Sequence, residues 1–404
     1  MRMKRGIIAL VLVSFLILST IGSMMVASGH SGLKSFIVSP IRDTAIAQYQ
    51  TSEPLYITSN ADFALLGATG VGTPSDPYIF ENLQISNNGI SIIIQDTTAY
   101  FVISNCKLES GDSNSVILFN NVENGRVEQN EIIGGSSGLD LRGSRDCTVV
   151  DNSIYGSWNG ITLRSTSNIT VIDNRIHNNH RGILIELSNY SDILNNSIYS
   201  NGGYGIEITF FSHNNTIYGD SIGWNDVSGG DEVNAIDNGE DNSFDDGSSI
   251  GNFWSDFNES ETYQIQGTGG SLDTFAQILE DTVDPIIVPL VDTAIDVETS
   301  GNTLTWLVYD QFPESYVIVE NEVETISAIW TEGNITIELD HLDVGIYAMT
   351  IVVYDGAGNA ASDEVLVSVV SFILGGIGTE LVMIASGITV ASFVIIVLLV
   401  KKLS

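Results

Sequence analysis

Basic side chains are scarce in this sequence. Its 404 residues include 14 Lys and Arg against 50 Asp and Glu, for a formal net charge of −36, and residues 182–400 contain 35 acidic residues and no Lys or Arg. Binding of nucleic acid requires basic side chains that neutralise phosphates, so the composition excludes nucleic acid as a partner. Such an acidic chain is typical of a solvated, exposed surface, and divalent cation binding is the alternative explanation.

Cysteine is scarce as well. The chain has two, Cys106 and Cys147, which do not make a disulfide framework. In the register of the repeats described next they lie two coils apart, roughly 9–10 Å at the usual strand spacing, beyond the reach of a disulfide. We predict that both thiols are free and that Cys106 replaces an asparagine of the repeat.

A short motif recurs between residues 88 and 222. Copies of Gly followed by alternating apolar residues are spaced 22, 22 and 23 residues apart, at Gly138, Gly160, Gly182 and Gly205. A second motif, apolar-x-x-Asn-x-Ile, repeats every 22 residues, at Asn130, Asn152, Asn174 and Asn196. A fixed period in the low twenties predicts a solenoid.

The residue types identify the kind of solenoid. The inward positions are mostly Ile and Val, which favour strands, and no repeat shows helical periodicity, as a leucine-rich repeat would require. The pattern therefore predicts an all-β fold, a right-handed parallel β-helix whose coils stack about 4.8 Å apart. Its inward asparagines are expected to hydrogen-bond the coils above and below.

The two ends of the chain predict export and anchoring in the cell membrane. Residues 1–27 have the layout of a signal peptide, with an uncleaved anchor as the alternative. Residues 381–400 carry no charge and are long enough to form a transmembrane helix. Lys401 and Lys402 follow at once, so residues 401–404 are expected in the cytoplasm and the ectodomain outside.

Between these ends the sequence divides into four segments. Residues 28–53 are predicted as a tether and residues 54–282 as the β-helix with an N-terminal cap and an acidic C-terminal return. Residues 283–370 contain alternating strands typical of a β-sandwich, and residues 371–380 form a linker. Six glycosylation sequons lie in the part assigned to the outside: Asn168, Asn189, Asn195, Asn214, Asn258 and Asn334.

The order of Gly-Ile-x-Leu coils, an Asn- and Gly-rich return and the closing run Gly-Asn-Phe-Trp-Ser-Asp-Phe at residues 251–257 resembles the NosD-like family of β-helix repeat proteins. The resemblance covers roughly residues 55–279 and implies a surface protein of archaeal type. The hairpin at residues 353–360 is similar to the end of Ig-like modules. The family name implies copper, for which His177 and His180 are candidates, although they lack the neighbouring Cys or Met of a typical copper site.

Three rings fall in one outward column, Tyr155, His177 and Tyr199. Flat rings at strand spacing can stack on sugar rings, so this column is the predicted ligand site; mutual stacking along the solenoid is the alternative. Glu186 and Glu207 lie on adjacent coils and are the one pair that could work as acid and base on a glycosidic bond.

The acidic return offers a candidate calcium site. Hard oxygen donors suited to calcium are clustered there, in the residues Asp237, Glu240, Asp241, Asp245 and Asp246, without EF-hand spacing. Nothing in the sequence requires a cofactor, and calcium is the cofactor that these carboxylates could bind.

The sequence favours a non-catalytic role in adhesion or glycan recognition, with an extracellular glycan or envelope protein as partner and the membrane contacted through one C-terminal helix. The alternatives are a carbohydrate-active enzyme, a lyase or hydrolase, on the same lateral face, and a structural envelope component.

Overall fold

Short strands recur along the repeat segment because each coil alternates Ile and Val with polar residues and then turns at Asn, Asp or Gly. A computed structural model of the protein describes residues 49–111, 113–225, 233–258, 262–331 and 333–371, which fall within one compact unit. In chain order the solenoid contains β1 (Gln50–Thr51), β2 (Leu55–Ile57), helix α1 (Asn60–Leu65), β3 (Tyr78–Glu81), β4 (Leu83–Ser86), β5 (Ile92–Thr97), β6 (Phe101–Ser104), β7 (Lys107–Ser110), β8 (Ser115–Val122), β9 (Gly125–Glu128), β10 (Glu131–Gly134), β11 (Ser137–Arg142), β12 (Thr148–Val150), β13 (Ser153–Tyr155), β14 (Asn159–Arg164), β15 (Thr170–Ile172), β16 (Arg175–His177), β17 (Arg181–Glu186), β18 (Asp192–Leu194), β19 (Ser197–Tyr199), β20 (Ile206–Ile208), β21 (Thr216–Tyr218), β22 (Ser221–Gly223), β23 (Ala235–Asp237), β24 (Phe253–Trp254), β25 (Tyr263–Gln264), β26 (Leu272–Asp273) and β27 (Gln277–Ile278).

All of these strands except β25 and β26, which form an antiparallel pair, stack into three parallel sheets. Sheet A has the order β1-β4-β7-β10-β13-β16-β19-β22-β24-β27, sheet B has β2-β5-β8-β11-β14-β17-β20-β23, and sheet C has β3-β6-β9-β12-β15-β18-β21. Residues one period apart are direct partners, as Ile161 is of Ile183. The prediction of a parallel β-helix is confirmed, and its right-handed sense stays a prediction.

The asparagine ladder runs through the interior as predicted. Asn152 Nδ2 donates hydrogen bonds to the carbonyl oxygen of Val127 and to Oδ1 of Asn174, both at 2.9 Å. The backbone N–H of Asn152 donates to the same Oδ1 at 3.0 Å. The ladder therefore pairs buried turn amides and carbonyls that would otherwise destabilise each coil.

The two cysteines behave as predicted. The backbone N–H of Cys106 donates to Oδ1 of Asn130 at 2.9 Å, so Cys106 occupies the place of an asparagine in the ladder. Cys106 and Cys147 are both buried and free.

Glycine and asparagine fill positions that the coil geometry restricts. A Cβ atom on Gly160 would lie 2.7 Å from both the carbonyl oxygen of Gly182 and Cγ2 of Ile176, so no side chain fits in this column. At the corner between sheets B and C one residue of each coil has φ near +55°, a conformation that Asn and Asp tolerate best. These residues are Asp146, Asn168, Tyr190, Asn214 and Asp241.

Aromatic side chains close the two ends of the solenoid core. Phe63, on α1, is fully buried and stacks on Tyr78 with ring centroids 4.8 Å apart. At the other end Trp254, from the closing motif, stacks on Tyr263 at 4.1 Å. The predicted N-terminal cap is therefore α1 with its flanking turns.

The C-terminal module consists of two sheets around one core. Its strands are β28 (Ile286–Val288), β29 (Thr293–Asp296), β30 (Thr303–Tyr309), β31 (Pro313–Glu320), β32 (Val323–Ile329), β33 (Asn334–Glu338), β34 (Gly345–Asp355) and β35 (Ala360–Val370). One sheet has the order β28-β30-β33 and the other β29-β35-β34-β31-β32. Trp306 is fully buried between them, in the hydrophobic core of the module.

The predicted boundaries can be compared with the strands. Gln50 and Thr51 pair with Leu83 and Gln84 in sheet A, so the solenoid begins inside the segment predicted as a tether, because that segment completes the first coil. The signal peptide, residues 381–400 and the tail 401–404 lie outside the described residues. Within the described ranges no helix has the length and apolar character needed to cross a membrane.

Candidate functional site

The predicted aromatic column exists, with its three rings in register. Tyr155 pairs with His177 and His177 with Tyr199 in sheet A. The ring centroids are 5.5 Å and 5.0 Å apart, and the second pair is within 3° of parallel. The mutual stacking considered as the alternative is therefore the observed geometry.

The C-terminal module covers this column. His177 and Tyr199 have no exposed surface, and the Tyr199 hydroxyl donates to the carbonyl oxygen of Pro313 at 2.8 Å. Phe312 packs its ring against Tyr199 at 5.4 Å and against Trp224 at 5.2 Å. The expectation of an open sugar-binding surface here needs correction, since sheet A is the docking face of the module.

Polar contacts complete the docking face. Arg175 Nη1 donates to the carbonyl oxygen of Thr331 at 2.8 Å, and Asn178 Nδ2 donates to that of Glu314 at 3.2 Å. Burial lowers the pKa of His177 to about 3, so its ring is neutral at pH 7. His177 and Tyr199 are thus packed under the module, whereas Tyr155 is half-buried and its hydroxyl donates to Glu131 Oε1 at 2.5 Å.

The acidic return holds its carboxylates in turns. Both oxygens of Asp237 accept protein hydrogen bonds, from the N–H of Gly239 at 2.7 Å and from the Ser271 hydroxyl at 2.6 Å. Asp245 accepts from the N–H of Gly247 at 2.8 Å.

Asp246 is a second turn acceptor in the return. The backbone N–H groups of Ile250, Ser249 and Ser248 all point at its Oδ1 and hold its pKa well below the usual range. Glu240 and Asp241 are exposed, and the structure does not bring the five predicted calcium ligands into one cluster. The oxygens of Asp237, Asp245 and Asp246 are committed to these hydrogen bonds, which spacing alone does not reveal.

A different acidic cluster lies beside the docking face. Carboxylate oxygens of Asp281, Asp310 and Asp355 all lie within 4.8 Å of one another, the one such group in the described part of the chain. Burial, followed by the charges of Asp281 and Asp355, raises the pKa of Asp310 to about 6. Asp355 is held by the N–H and side-chain amide of Asn359, both at 2.8 Å.

The outward column of sheet B carries hydrogen-bonding side chains that are mostly buried, since Asp140, Thr162 and Asn159 are each at most 9% exposed. The column Asp140, Thr162, Leu184 and Glu207 is paired in the predicted register. Thr162 Oγ1 lies 2.9 Å from Ser137 Oγ and 3.2 Å from Asn159 Nδ2. Arg142 Nε donates to Asp140 Oδ2 at 3.0 Å.

The predicted acid pair is engaged in ion pairs. Arg164 Nε lies 2.8 Å from Glu186 Oε2, and Arg181 Nε lies 2.6 Å from Glu207 Oε2. Each glutamate is thus neutralised by an arginine of the preceding coil.

An aromatic ring that sequence reasoning missed borders this face. Trp158 directly precedes Asn159 on β14, and its side chain is 56% exposed. Its ring lies 3.8 Å from that of His180, one coil further along. Partial burial and the charge of Arg181 lower the pKa of His180, so its ring is neutral at pH 7. The 22-residue spacing of Trp158 and His180 is the signal that could have found the pair.

Comparisons with solved structures return weak similarities. Pectate lyase Pel9A matches with 10% identity over 58% of this chain and 80% of its own, at a TM-score of 0.28. The enzymatically active domain of bacteriophage CBA120 tailspike protein 2 matches with 10% identity over 79% of this chain and 72% of its own, at a TM-score of 0.33. Likeness at this level carries no information about activity. No curated protein sequence matches the chain.

A protein family matches over residues 55–259, just over half of the chain, and its description is periplasmic copper-binding protein (NosD). Copper favours His, Cys and Met donors. In the described ranges His177 and both cysteines are buried apart from one another, and the one cluster of three candidate donors is made of aspartates. These residues do not fit a copper site. The match and the repeat geometry nonetheless agree over residues 55–259, and the chain belongs to the NosD family.

Proposed function

We propose that this chain is an exported, non-catalytic β-helix protein that recognises extracellular glycans on the outer face of sheet B. The observation that carries the proposal is the exposed Trp158 ring beside the partly exposed ion pair of Arg181 and Glu207. The module occupies the face of sheet A, and Trp158 is exposed at the edge where sheet B begins, so we assign the ligand to that edge.

The side chains of this face suit a sugar. An indole face packs against the C–H face of a pyranose, and neutral hydroxyl and amide groups bond its hydroxyls. Trp158 supplies the ring, and the partly exposed Arg181 and Glu207 supply a donor and an acceptor. Asn159, Thr162 and Ser137 are buried and hydrogen-bond one another. Arg164 adds a planar cation that can pair with a uronate or sulfate group.

Location and module type are part of the proposal. The signal-like residues 1–27 and the apolar residues 381–400 support export and single-pass anchoring. The order of β28, β30 and β33 in one sheet, and β29 parallel to β35 in the other, supports an Ig-like module. Such a module would hold the solenoid away from the membrane.

Calcium stays a possible cofactor. Hard oxygen donors are the ligands it prefers, but the turn geometry of the acidic return gives it no support there. Glycan binding in the presence of calcium and of a chelator would separate a calcium-dependent site from the sheet B face.

The enzyme and structural alternatives have distinct outcomes. Release of reducing ends or unsaturated products that disappears in Glu186→Gln or Glu207→Gln would favour a lyase or hydrolase. Self-association without glycan binding would favour a structural envelope component.

The test is co-sedimentation of the ectodomain with insoluble polysaccharides and cell envelopes. We expect Trp158→Ala to lower the affinity about tenfold or more, the usual loss for an anchoring aromatic. Tyr190→Ala is the matched control: Tyr190 is 59% exposed and lies beside His213 on the next coil at another corner. Equal binding by both variants and the wild type would contradict the proposal.

A further inference from the structure

The six sequons have no place in the function proposed above, and the structure separates them from the asparagines that build the solenoid. Twelve asparagines in the described ranges are buried. None of these twelve begins an Asn-x-Ser/Thr sequon. The ladder and the sequons therefore use different asparagines.

Three sequon asparagines lie at corners of the solenoid with exposed side chains. Asn168 and Asn214 occupy the same position between sheets B and C, each with φ of 55°. Asn195 occupies a corner between sheets C and A, with φ of 54°. All three are exposed, and the hydroxyl residues two positions later are only partly buried: Thr170, Thr216 and Ser197.

The sequon at Asn189 differs although it is only one coil away. Asn189 is half-buried, and its hydroxyl residue, Ser191, has no exposed surface. Ser191 Oγ accepts the N–H of Ile169 at 3.3 Å inside the coil. An oligosaccharide on Asn189 would have to emerge from a packed turn.

We infer that Asn168, Asn195 and Asn214 are N-glycosylation sites, an inference that rests on the export in the proposed function. The Nδ2 atom of each asparagine attacks the anomeric carbon of a lipid-phosphate-linked oligosaccharide. The new C–N bond replaces the bond from that carbon to the phosphate oxygen. The lipid phosphate leaves with the electron pair, and the amide loses one of its two protons.

The folded corners tolerate this linkage because the modified amide keeps one N–H. Asn168 Nδ2 donates to Asp146 Oδ1 on the neighbouring coil, and Asn214 Nδ2 lies 2.8 Å from His213 Nδ1. One proton suffices for each contact. The three sites flank sheet C, whereas Trp158 lies at the corner between sheets A and B, so attached chains leave the Trp158 ring accessible.

The test is peptide mass spectrometry of the full-length protein isolated from the cells that make it, with its cell fraction recorded. We expect oligosaccharide mass on the peptides of Asn168, Asn195 and Asn214 and none on Asn189. The triple variant with Asp at the three positions should lose the corresponding shift in gel mobility, whereas Asn189→Asp should not. Asp suits these corners because Asp146 and Asp173 occupy equivalent positions with φ of 55° and 56°.

Each other outcome overturns a defined part of the reasoning. Unmodified peptides from protein in the exported fraction refute the glycosylation sites and leave export standing. Unmodified protein retained in the cytoplasm refutes export itself. Modification of Asn189 as complete as that of Asn168 refutes the structural selection among the sequons.

Discussion

Asp220 stands in the asparagine ladder where its neighbours, Asn196 and Asn252, are amides. Asn196 donates to Asp220 Oδ1 from its backbone N–H at 2.6 Å and from Nδ2 at 2.8 Å. Asn196 Nδ2 also donates to the carbonyl oxygen of Val171, on the preceding coil, at 3.0 Å. One coil further along, the corresponding acceptor for Asp220 is the carbonyl oxygen of Ile193. A carboxylate cannot donate, and Asp220 Oδ2 is buried with no hydrogen-bond partner among the described residues.

This position makes the stability of the solenoid depend on pH. Burial raises the pKa of Asp220 from 3.8 to about 7. Below pH 4 the acid is protonated in the folded and unfolded states. As the pH rises from 4 to 7 the unfolded state alone loses the proton, so the free energy of unfolding falls. At about 1.4 kcal/mol for each pH unit, the loss by pH 7 is about 4 kcal/mol.

Asp220→Asn restores the donor at every pH. We expect it to raise the free energy of unfolding by about 4 kcal/mol at pH 8 and to have little effect at pH 4. Urea titrations followed by circular dichroism at the two pH values measure the difference. The control is Asp241→Asn, an exposed corner residue with φ of 54°, whose effect should stay within about 0.5 kcal/mol. A loss of stability at pH 8, or equal effects of Asp220→Asn at both pH values, would refute the reasoning.

Three further predictions concern buried groups elsewhere. Burial raises the pKa of Cys106 to about 11 and of Cys147 to about 12. Iodoacetamide at pH 8 should therefore label neither thiol in the native protein and both thiols after unfolding. Rapid labelling of the native protein would contradict this. Burial also raises the pKa of Asp310 to about 6, so stability should fall from pH 4 to pH 6, and Asp310→Asn should raise the melting temperature at pH 7 but not at pH 4. Tyr199→Phe removes the hydrogen bond to Pro313 and should weaken docking of the module by about 1 kcal/mol. The weaker docking should appear as faster proteolysis between the solenoid and the module. An unchanged rate of proteolysis would show that this hydrogen bond does not hold the module.

The solenoid could be predicted because its information is local and repeated. Asn152 and Asn174 differ by one period, and the same hydrogen bonds recur wherever that spacing recurs. Gly160 could be placed for the same reason, since four successive coils have a glycine where the next coil approaches. A repeat turns one correct register into many correct contacts.

The docking of the module could not be predicted in this way. Tyr199 contacts Pro313 across 114 residues, and nothing in either motif specifies the other. The ring column was therefore expected to be open. The carboxylates of the acidic return are a related case. Asp245 and Asp246 accept hydrogen bonds from backbone groups, and composition does not show such bonds. Spacing predicts which side chains align, but not what covers them.

The measurement that tests the central claim most directly is oxidative footprinting of the ectodomain with and without a bound polysaccharide. Trp158 is 56% exposed and Phe211 is 76% exposed at another corner, so both are oxidised in the free protein. The account predicts that the ligand protects Trp158 and leaves the oxidation of Phe211 unchanged. Protection of Phe211 with Trp158 unchanged would place the ligand at the opposite edge of sheet B, away from Trp158, and would contradict the proposed site.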